Sequence, residues 1–278
     1  MKVLIAEKAG ACYGVQRALD IAKSTLGSEG SVSTLGPLIH NPKVIAELEG
    51  SGMKTADSVE DVATDTVIIR SHGVTPDIKR RLETRGLNII DATCPHVLRA
   101  QIAAAELARE GYQVIVVGEE GHPEVEGLKA YATDEGARVH VVQDVGDLPD
   151  ELPNKVGIVV QTTQTHDALN KITSYLEMRD IDYILKDTIC SATKKRQSAA
   201  AQLADEVDAM VVIGGRNSSN TTRLAEICAS KCPRTIHIES TSEIDDSFFD
   251  DVEVVGISAG ASTPESQIVE LLEYLQSL

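Results

Sequence analysis

The sequence has 278 residues, of which 42% are hydrophobic and 25% charged, and a formal net charge of −17. This charge argues against nucleic acid or an anionic membrane surface as a partner, because phosphate groups are bound through Lys and Arg. No apolar run approaches the ~20 residues of a membrane helix, and the first run is too short for a signal peptide, so we expect a cytoplasmic protein. An odd number of cysteines, five, favours metal binding or catalysis over a disulfide framework.

Apolar runs of strand length alternate with segments of helical periodicity along the whole chain. In the first part, strands are predicted at 2–6, 31–35, 67–70 and 87–90, with helices at 15–22, 41–48 and 75–82. In the middle part, strands are predicted at 113–117, 139–142, 156–160 and 182–185, with helices at 97–109, 122–131 and 166–178. In the last part, strands are predicted at 209–213, 235–238 and 252–257, with helices at 194–206 and 221–229 and at the C-terminus. This alternation predicts an α/β fold with mostly parallel sheets.

Three cysteines mark an internal repeat, because each follows a strand-like run and precedes a helix-like run: Cys12, Cys94 and Cys190. A glycine lies 24 residues after each of them, at Gly36, Gly118 and Gly214. A polar residue lies 28 residues after each of them, at His40, His122 and Ser218. We therefore predict three related α/β units, 1–94, 95–190 and 191–278, packed directly on one another with pseudo-threefold symmetry.

The cysteines, histidines and hydroxyl residues that are candidates for a functional site lie just beyond predicted strand ends. Ligands of parallel sheets bind beyond the carboxyl ends of the strands. The residues at these ends are Cys12, His40, His72, Cys94, His122, Thr162, Cys190, Ser218 and Ser262. We expect three units with these ends facing inward to converge on one central pocket.

The repeated cysteines have three possible roles. A single buried Cys is most often a small core residue, but three at equivalent positions before helix N-termini favour thiolate ligands of a metal centre. Structural zinc usually shows paired spacing and four ligands, and ferredoxin-type clusters also use four Cys. Three widely spaced cysteines fit a cluster with one open iron. Cys228 and Cys232 occur in one unit only, and we expect them to be structural.

Nine short motifs are spread in order over the chain, at 11–15, 38–41, 70–73, 91–95, 121–125, 161–163, 189–193, 217–220 and 259–262. Together they make the chain resemble the 4-hydroxy-3-methylbut-2-enyl diphosphate reductase family. The resemblance implies a trefoil around an oxygen-sensitive iron–sulfur cluster, which we expect to be [4Fe–4S], one per chain. It also implies the last step of the non-mevalonate isoprenoid pathway, the reductive dehydroxylation of an allylic diphosphate to isopentenyl and dimethylallyl diphosphates. Electrons would come from a ferredoxin or flavodoxin type donor.

The resemblance also assigns roles to residues. Cys12, Cys94 and Cys190 match the cluster ligands. The diphosphate-binding set is matched by His40, His72, His122, Ser218, Ser219, Asn220 and Ser262. Glu124 matches a proton source, although a carboxylate in the first turn of a helix is more often only favourable electrostatics. Thr162 matches a threonine that contacts the substrate hydroxyl, and the sequence does not separate it from Thr163.

The other histidines are expected to be ordinary core or surface residues: His96, His140, His166 and His237. Two different functions compete with the reductase interpretation. One is a non-catalytic iron–sulfur protein, such as a redox sensor or carrier. The other is a zinc-dependent hydrolase of a phosphorylated substrate.

Overall fold

The computed structural model describes residues 1–153 and 155–278. Within these ranges the chain forms three parallel sheets of four strands each, with helices between the strands. None of the described helices combines the length and the apolar character that crossing a membrane requires.

The first strand, β1 Lys2–Ile5, precedes the elements of the first sheet. These elements are, in chain order, α1 Tyr13–Glu29, β2 Val32–Leu35, α2 Pro42–Gly50, β3 Met53–Ala56, β4 Thr66–Ile69, α3 Pro76–Thr84 and β5 Asn88–Asp91. The strands lie in the order β3-β2-β4-β5. Strand β3 was not expected from the sequence, because Met-Lys-Thr-Ala lacks the β-branched run that marks the other strands.

The second sheet has the order β7-β6-β8-β9. Its elements are α4 Pro95–Arg109, β6 Gln113–Val117, α5 Pro123–Asp134, β7 Val139–Val142, β8 Lys155–Val160, α6 His166–Met178 and β9 Asp182–Lys186, with a 3₁₀ helix at Val145–Asp147. Most residues of β6 and β8 are apolar and buried, as is typical of parallel strands covered on both faces. Helices α4 and α5 pack on one face of this sheet and α6 packs on the other.

The third sheet has the order β1-β12-β10-β11. Its remaining elements are α7 Ser191–Ala204, β10 Ala209–Ile213, α8 Ser219–Lys231, β11 Thr235–Ile238, β12 Val254–Ala259 and α9 Glu265–Ser277, with 3₁₀ helices at Thr241–Glu243 and Asp246–Phe249. Alternate residues of β10 enter two cores, one shared with α9 and the other with α7 and α8. Each fully buried Leu or Ile in these cores stabilises the fold by roughly 1.5–3 kcal/mol.

The three sheets share one topology. Counted along the chain, each sheet places its second strand first, followed by its first, third and fourth strands. The third sheet fits this order only because β1 serves as its fourth strand, with Lys2 paired to Val254. The predicted α/β class with three related, parallel-sheet units is therefore confirmed.

The unit boundaries 1–94, 95–190 and 191–278 stay a prediction, and two observations bear on them. The strand β1, which the sequence assigned to the first segment, belongs to the sheet of the last segment. The chain also divides into two compact units, one formed by residues 1–16, 39–46 and 191–278 and the other by residues 17–38 and 47–190. We call these the terminal unit and the central unit. The terminal unit contains the third sheet, and the central unit contains the first and second sheets.

Candidate functional site

The predicted site residues follow specific strands in each sheet. The strand order reverses between the first and third strands, and ligands of such sheets bind in the crevice at this point. His40, His122 and Ser218 follow the first strands of the three sheets, and His72, Thr162 and Ser262 follow the third strands. Cys94, Cys190 and Cys12 follow the fourth strands and stand directly before α4, α7 and α1.

Two backbone hydrogen bonds recur in all three sheets, and they explain the repeat seen in the sequence. The N–H of each repeated cysteine donates to the carbonyl of the second residue beyond the third strand. The partners are Ser71 for Cys94 at 2.9 Å, Thr162 for Cys190 at 3.0 Å and Ala261 for Cys12 at 3.0 Å. The N–H of each repeated glycine donates to the last carbonyl of the second strand. These bonds join Gly36 to Ala56, Gly118 to Val142 and Gly214 to Ile238.

The repeated glycines are required by close packing after the first strands. A Cβ atom at Gly118 would lie 2.6 Å from Val125 Cγ2. A Cβ atom at Gly214 would lie 2.6 Å from Thr263 Oγ1. The φ of Gly214 is +148°, a backbone conformation that residues other than glycine rarely adopt. The strand ends therefore carry no side chain at the position where the next helix packs.

The cysteines fall into two classes. All five lie in the described residues and none forms a disulfide, but Cys12, Cys94 and Cys190 are half-buried whereas Cys228 and Cys232 are buried. Burial, with a smaller contribution from Cys232, raises the pKa of Cys228 to about 12, so this thiol stays protonated at neutral pH. The Cys232 sulfur lies 3.5 Å from the Asp208 carbonyl oxygen. These environments agree with a structural role for the second class.

Two of the predicted histidines meet in the central unit. The rings of His72 and His122 pack edge to face, with centroids 5.6 Å apart and an interplanar angle of 82°. His122 is the N-cap of α5, and its Nδ1 accepts the N–H of Glu124 at 3.1 Å. When neutral, His122 therefore carries its proton on Nε2, from which it can donate to a ligand.

Glu124 and Thr162 form a buried pair in the same unit. Glu124 is 1% exposed. Its Oε1 accepts the Thr162 N–H at 2.6 Å, and its Oε2 accepts the Thr162 hydroxyl at 2.9 Å. Burial raises the pKa of Glu124 to about 7, and the negative charge of Glu119 adds to this, while the two Thr162 hydrogen bonds oppose it. A carboxyl group with this pKa can hold or release a proton near neutral pH.

In the terminal unit, His40 is joined to the turn after β12. Ser262 Oγ donates to the His40 carbonyl at 2.7 Å. The Asn41 amide donates to the Ser262 carbonyl and to Gln267 Oε1, both at 2.9 Å. Asn41 caps α2 by accepting the Val44 N–H, and its bonds to Ser262 and Gln267 connect segments over 200 positions apart.

The start of α8 presents several polar groups. Ser218 is the N-cap, and its hydroxyl accepts the Thr221 N–H. Asn220 is 3% exposed. Among the described residues, neither amide atom of Asn220 has a hydrogen-bond partner, and the Thr221 hydroxyl also lacks one. Buried polar groups are normally satisfied, so an oxygen-rich ligand at this helix N-terminus would complete the hydrogen bonding of Asn220.

The residues that lie 28 positions after the repeated cysteines do not all occupy the same helix position. His122 and Ser218 are N-caps, whereas His40 precedes the N-cap Asn41 by one residue. Two of the four histidines that we expect to be ordinary residues have polar partners close to the ring. His237 Nε2 lies 2.9 Å from the Gly214 carbonyl oxygen, and His166 Nε2 lies 3.1 Å from Asp187 Oδ2.

Comparisons with known proteins identify relatives of this chain. The family model described as LytB protein matches residues 3–276. The chain is 47% identical over 278 residues to the 4-hydroxy-3-methylbut-2-enyl diphosphate reductase of Geobacter sulfurreducens, covering 99% of this chain and 97% of that protein. It is 44% identical over 280 residues to the protein of the same name from Geotalea daltonii, covering 100% and 98%.

Two solved structures are also similar. One, described as (E)-4-hydroxy-3-methyl-but-2-enyl diphosphate reductase, the terminal enzyme of the non-mevalonate pathway, is 41% identical with a TM-score of 0.73 and 100% coverage of both chains. The other, the E-1-hydroxy-2-methyl-but-2-enyl-4-diphosphate reductase from Plasmodium falciparum, is 27% identical with a TM-score of 0.92. This match covers 99% of this chain and 88% of that one.

Proposed function

Because the chain belongs to the LytB family of 4-hydroxy-3-methylbut-2-enyl diphosphate reductases and is thus an oxidoreductase, we propose that it reduces (E)-4-hydroxy-3-methylbut-2-enyl diphosphate to isopentenyl and dimethylallyl diphosphates. This is the final step of the non-mevalonate pathway. The reaction consumes two electrons and two protons and releases the allylic hydroxyl as water. The observation that carries the proposal is the buried Glu124–Thr162 pair, since a carboxyl group with a pKa of about 7 suits a proton donor to a leaving hydroxyl.

Three cysteines would hold the metal centre, an iron–sulfur cluster that we expect to be [4Fe–4S], one per chain. Cys12, Cys94 and Cys190 fit this role because they are half-buried cysteines outside any disulfide, at equivalent strand ends and each directly before a helix N-terminus. When bound, the cluster supplies electrons and an iron without a protein ligand that acts as a Lewis acid on the C–O bond. The buried thiols of Cys228 and Cys232 have no part in this proposal.

The proposed diphosphate ligands are polar groups at strand ends and helix starts. In the central unit, His72 and His122 offer imidazole N–H donors, and His122 is oriented by its bond from the Glu124 N–H. In the terminal unit, the proposed ligands are His40, Ser218, Ser219, Asn220 and Ser262. Support comes from the unpartnered Asn220 amide and from the helix N-terminus that carries it. Charge-assisted hydrogen bonds of this kind hold an anion against the field of a chain of charge −17.

The proton would pass from Glu124 through Thr162. With Glu124 ionised, the Thr162 hydroxyl donates to Oε2. With Glu124 protonated, the carboxyl O–H can donate to Thr162 Oγ1, and the threonine O–H is released to donate to the substrate hydroxyl. Thr162 is thus the group that contacts the leaving oxygen and Glu124 is the proton reservoir. The adjacent Thr163 makes no such bond to Glu124, which favours Thr162 over its neighbour for this role.

Electrons would come from a small redox protein of the ferredoxin or flavodoxin type. The decisive experiment is an anaerobic turnover assay with the hydroxylated diphosphate and a chemically reduced low-potential donor, in parallel with iron and sulfide analysis. We expect iron and sulfide in near-equal amounts and formation of both products. Zinc without sulfide would support a hydrolase, and a cluster without turnover would support a sensor or carrier. Either result would overturn the proposed function.

A further inference from the structure

Two arginines bind the backbone immediately before two of the cysteines. In the terminal unit, Arg196 Nη2 donates to the Gly10 carbonyl at 2.8 Å, two residues before Cys12. In the central unit, Arg17 donates to the carbonyls of Thr93 at 3.3 Å and Asp91 at 3.2 Å, one and three residues before Cys94. Neither arginine belongs to a motif that the sequence analysis selected for function.

The segment before Cys12 is fixed from two sides. On one side, the N–H groups of Gly10 and Cys12 donate to carbonyls at the end of β12 and just beyond it, those of Ala259 and Ala261. On the other side, the Gly10 carbonyl accepts from Arg196, which is only 4% exposed. Gly10 has a φ of +95°, and a Cβ atom there would lie 2.9 Å from Ile268 Cδ1. The loop before Cys12 is therefore closely packed, and the buried guanidinium of Arg196 holds its backbone in place.

The segment before Cys94 has a similar arrangement. The Cys94 N–H donates to the Ser71 carbonyl, and the Thr93 N–H donates to Asp91 Oδ1 at 2.9 Å. Arg17 donates to two further acceptors of this segment, the backbone carbonyls of Asp91 and Thr93. One planar guanidinium can satisfy both carbonyls because its donors are held in a rigid fork.

We propose that Arg17 and Arg196 are positioning residues for the metal centre: they hold the loops before Cys94 and Cys12 and place positive charge beside these two thiolates. This inference rests on the proposed function. Hydrogen bonds and charges around a cluster set its reduction potential. A cationic side chain stabilises the more negative, reduced state, and a buried charge does so more strongly than an exposed one.

The second repeat supplies a matched control. Arg17 and Arg99 both lie five residues after a repeated cysteine, Cys12 and Cys94 respectively. Arg99 is exposed, and its guanidinium contacts the His96 ring on its own helix, α4. The same residue type at the same repeat position therefore contacts its own helix after Cys94 and a cysteine loop after Cys12. Removing Arg99 should leave the metal centre as it is.

The test uses the complete, anaerobically purified holoenzyme. Arg196→Gln, Arg196→Lys, Arg17→Gln and Arg17→Lys are compared with wild type and Arg99→Gln by iron and sulfide content, thermal unfolding and spectroelectrochemical titration of the cluster. We expect Arg196→Gln to lower the reduced-to-oxidised ratio at a fixed potential about tenfold, equal to 59 mV for one electron. Arg17→Gln should lower it about threefold because its charge is less buried. Lysine should restore most of the potential, and Arg99→Gln should match wild type.

Equal potentials in wild type and in the iron-replete glutamine variants would overturn the inference. So would a shift that lysine fails to rescue, since that would indicate loop geometry without any contribution from charge. If Arg196→Gln does not fold, the half-exposed Arg17 pair of variants decides the question. Wild-type protein without iron and sulfide would instead refute the proposed function, so the two failures are distinguishable.

Discussion

The buried Glu124 should make the stability of the folded protein depend on pH. Its pKa is raised from 4.5 to about 7, so between these values the folded state retains a proton that the unfolded state has lost. Folding then takes up a proton, and the free energy of unfolding falls as pH rises through this window. Below about pH 4.5 both states are protonated and Glu124 has no effect. Above about pH 7 its full destabilising effect is present.

The size of this effect follows from the pKa shift. At about 1.4 kcal/mol per unit, the shift corresponds to about 3 kcal/mol, of which about 2 kcal/mol falls between about pH 5.5 and about pH 8.5. Glu124→Gln removes the titrating group. The glutamine oxygen can still accept the Thr162 N–H, and its amide can donate to Thr162 Oγ1. We therefore expect the glutamine variant to gain about 2 kcal/mol over wild type as pH rises across this window.

The measurement is urea denaturation of wild type and Glu124→Gln under identical anaerobic conditions at several pH values. The quantity of interest is the difference between the two free energies of unfolding, which removes the contributions of all other titrating groups. Glu126→Gln is the matched control, because Glu126 lies on the same helix and bonds the Gly121 N–H near the surface. Parallel stability curves for wild type and Glu124→Gln would refute the buried, shifted carboxyl group.

The remaining predictions concern the metal, the ligand, the rate and the packing. Serine in place of Cys12, Cys94 or Cys190 should deplete iron and abolish activity. Serine in place of Cys228 or Cys232 should leave the iron content, as measured by metal analysis, unchanged. His40→Ala or His122→Ala should weaken inorganic diphosphate inhibition by roughly 10- to 150-fold, as expected for loss of a hydrogen bond worth about 1.5–3 kcal/mol, and unchanged inhibition in both would exclude this role. Glu124→Gln should keep its cluster and lose about 10²–10⁴-fold in turnover, so near wild-type turnover would place the proton source elsewhere. Gly157→Ala should cost about 1–3 kcal/mol in unfolding free energy, because its Cβ would lie 2.9 Å from Leu107, whereas Gly27→Ala, with open space around it, should stabilise α1 by about 0.5–1 kcal/mol.

The repeat could be predicted from sequence because it is tied to residue types with few substitutes. Gly118 and Gly214 admit no Cβ, and the cysteines recur at one backbone position. The pairing of β1 with β12 could not be predicted, because strand order depends on contacts between segments about 250 residues apart and local patterns carry no such information. Strand β3 was missed for a different reason, since an edge strand of mixed polarity has no strong periodic signal.

The site was predicted to the level of strand ends but not of individual bonds. Thr162 and Thr163 are indistinguishable in the sequence, and only the structure shows which one bonds Glu124. Arg17 and Arg196 were overlooked because an arginine that binds a distant backbone carbonyl leaves no motif. Asn41 shows both limits, since its capping role is local and readable while its bonds to Ser262 and Gln267 are not.

The pairing of β1 with β12 delays completion of the third sheet during protein synthesis. β1 is synthesised about 250 residues before β12, its neighbour in the sheet. At typical elongation rates of about 5–20 residues per second, about 12–50 s pass between the synthesis of β1 and that of β12. During this time the apolar residues Val-Leu-Ile of β1 have no neighbouring strand. The first two sheets can close during this interval from strands that follow one another in the chain. A nascent chain that ends before β12 would therefore have two complete sheets and one apolar strand, β1, without a neighbour. Such an exposed apolar strand is prone to aggregation and would be bound by chaperones.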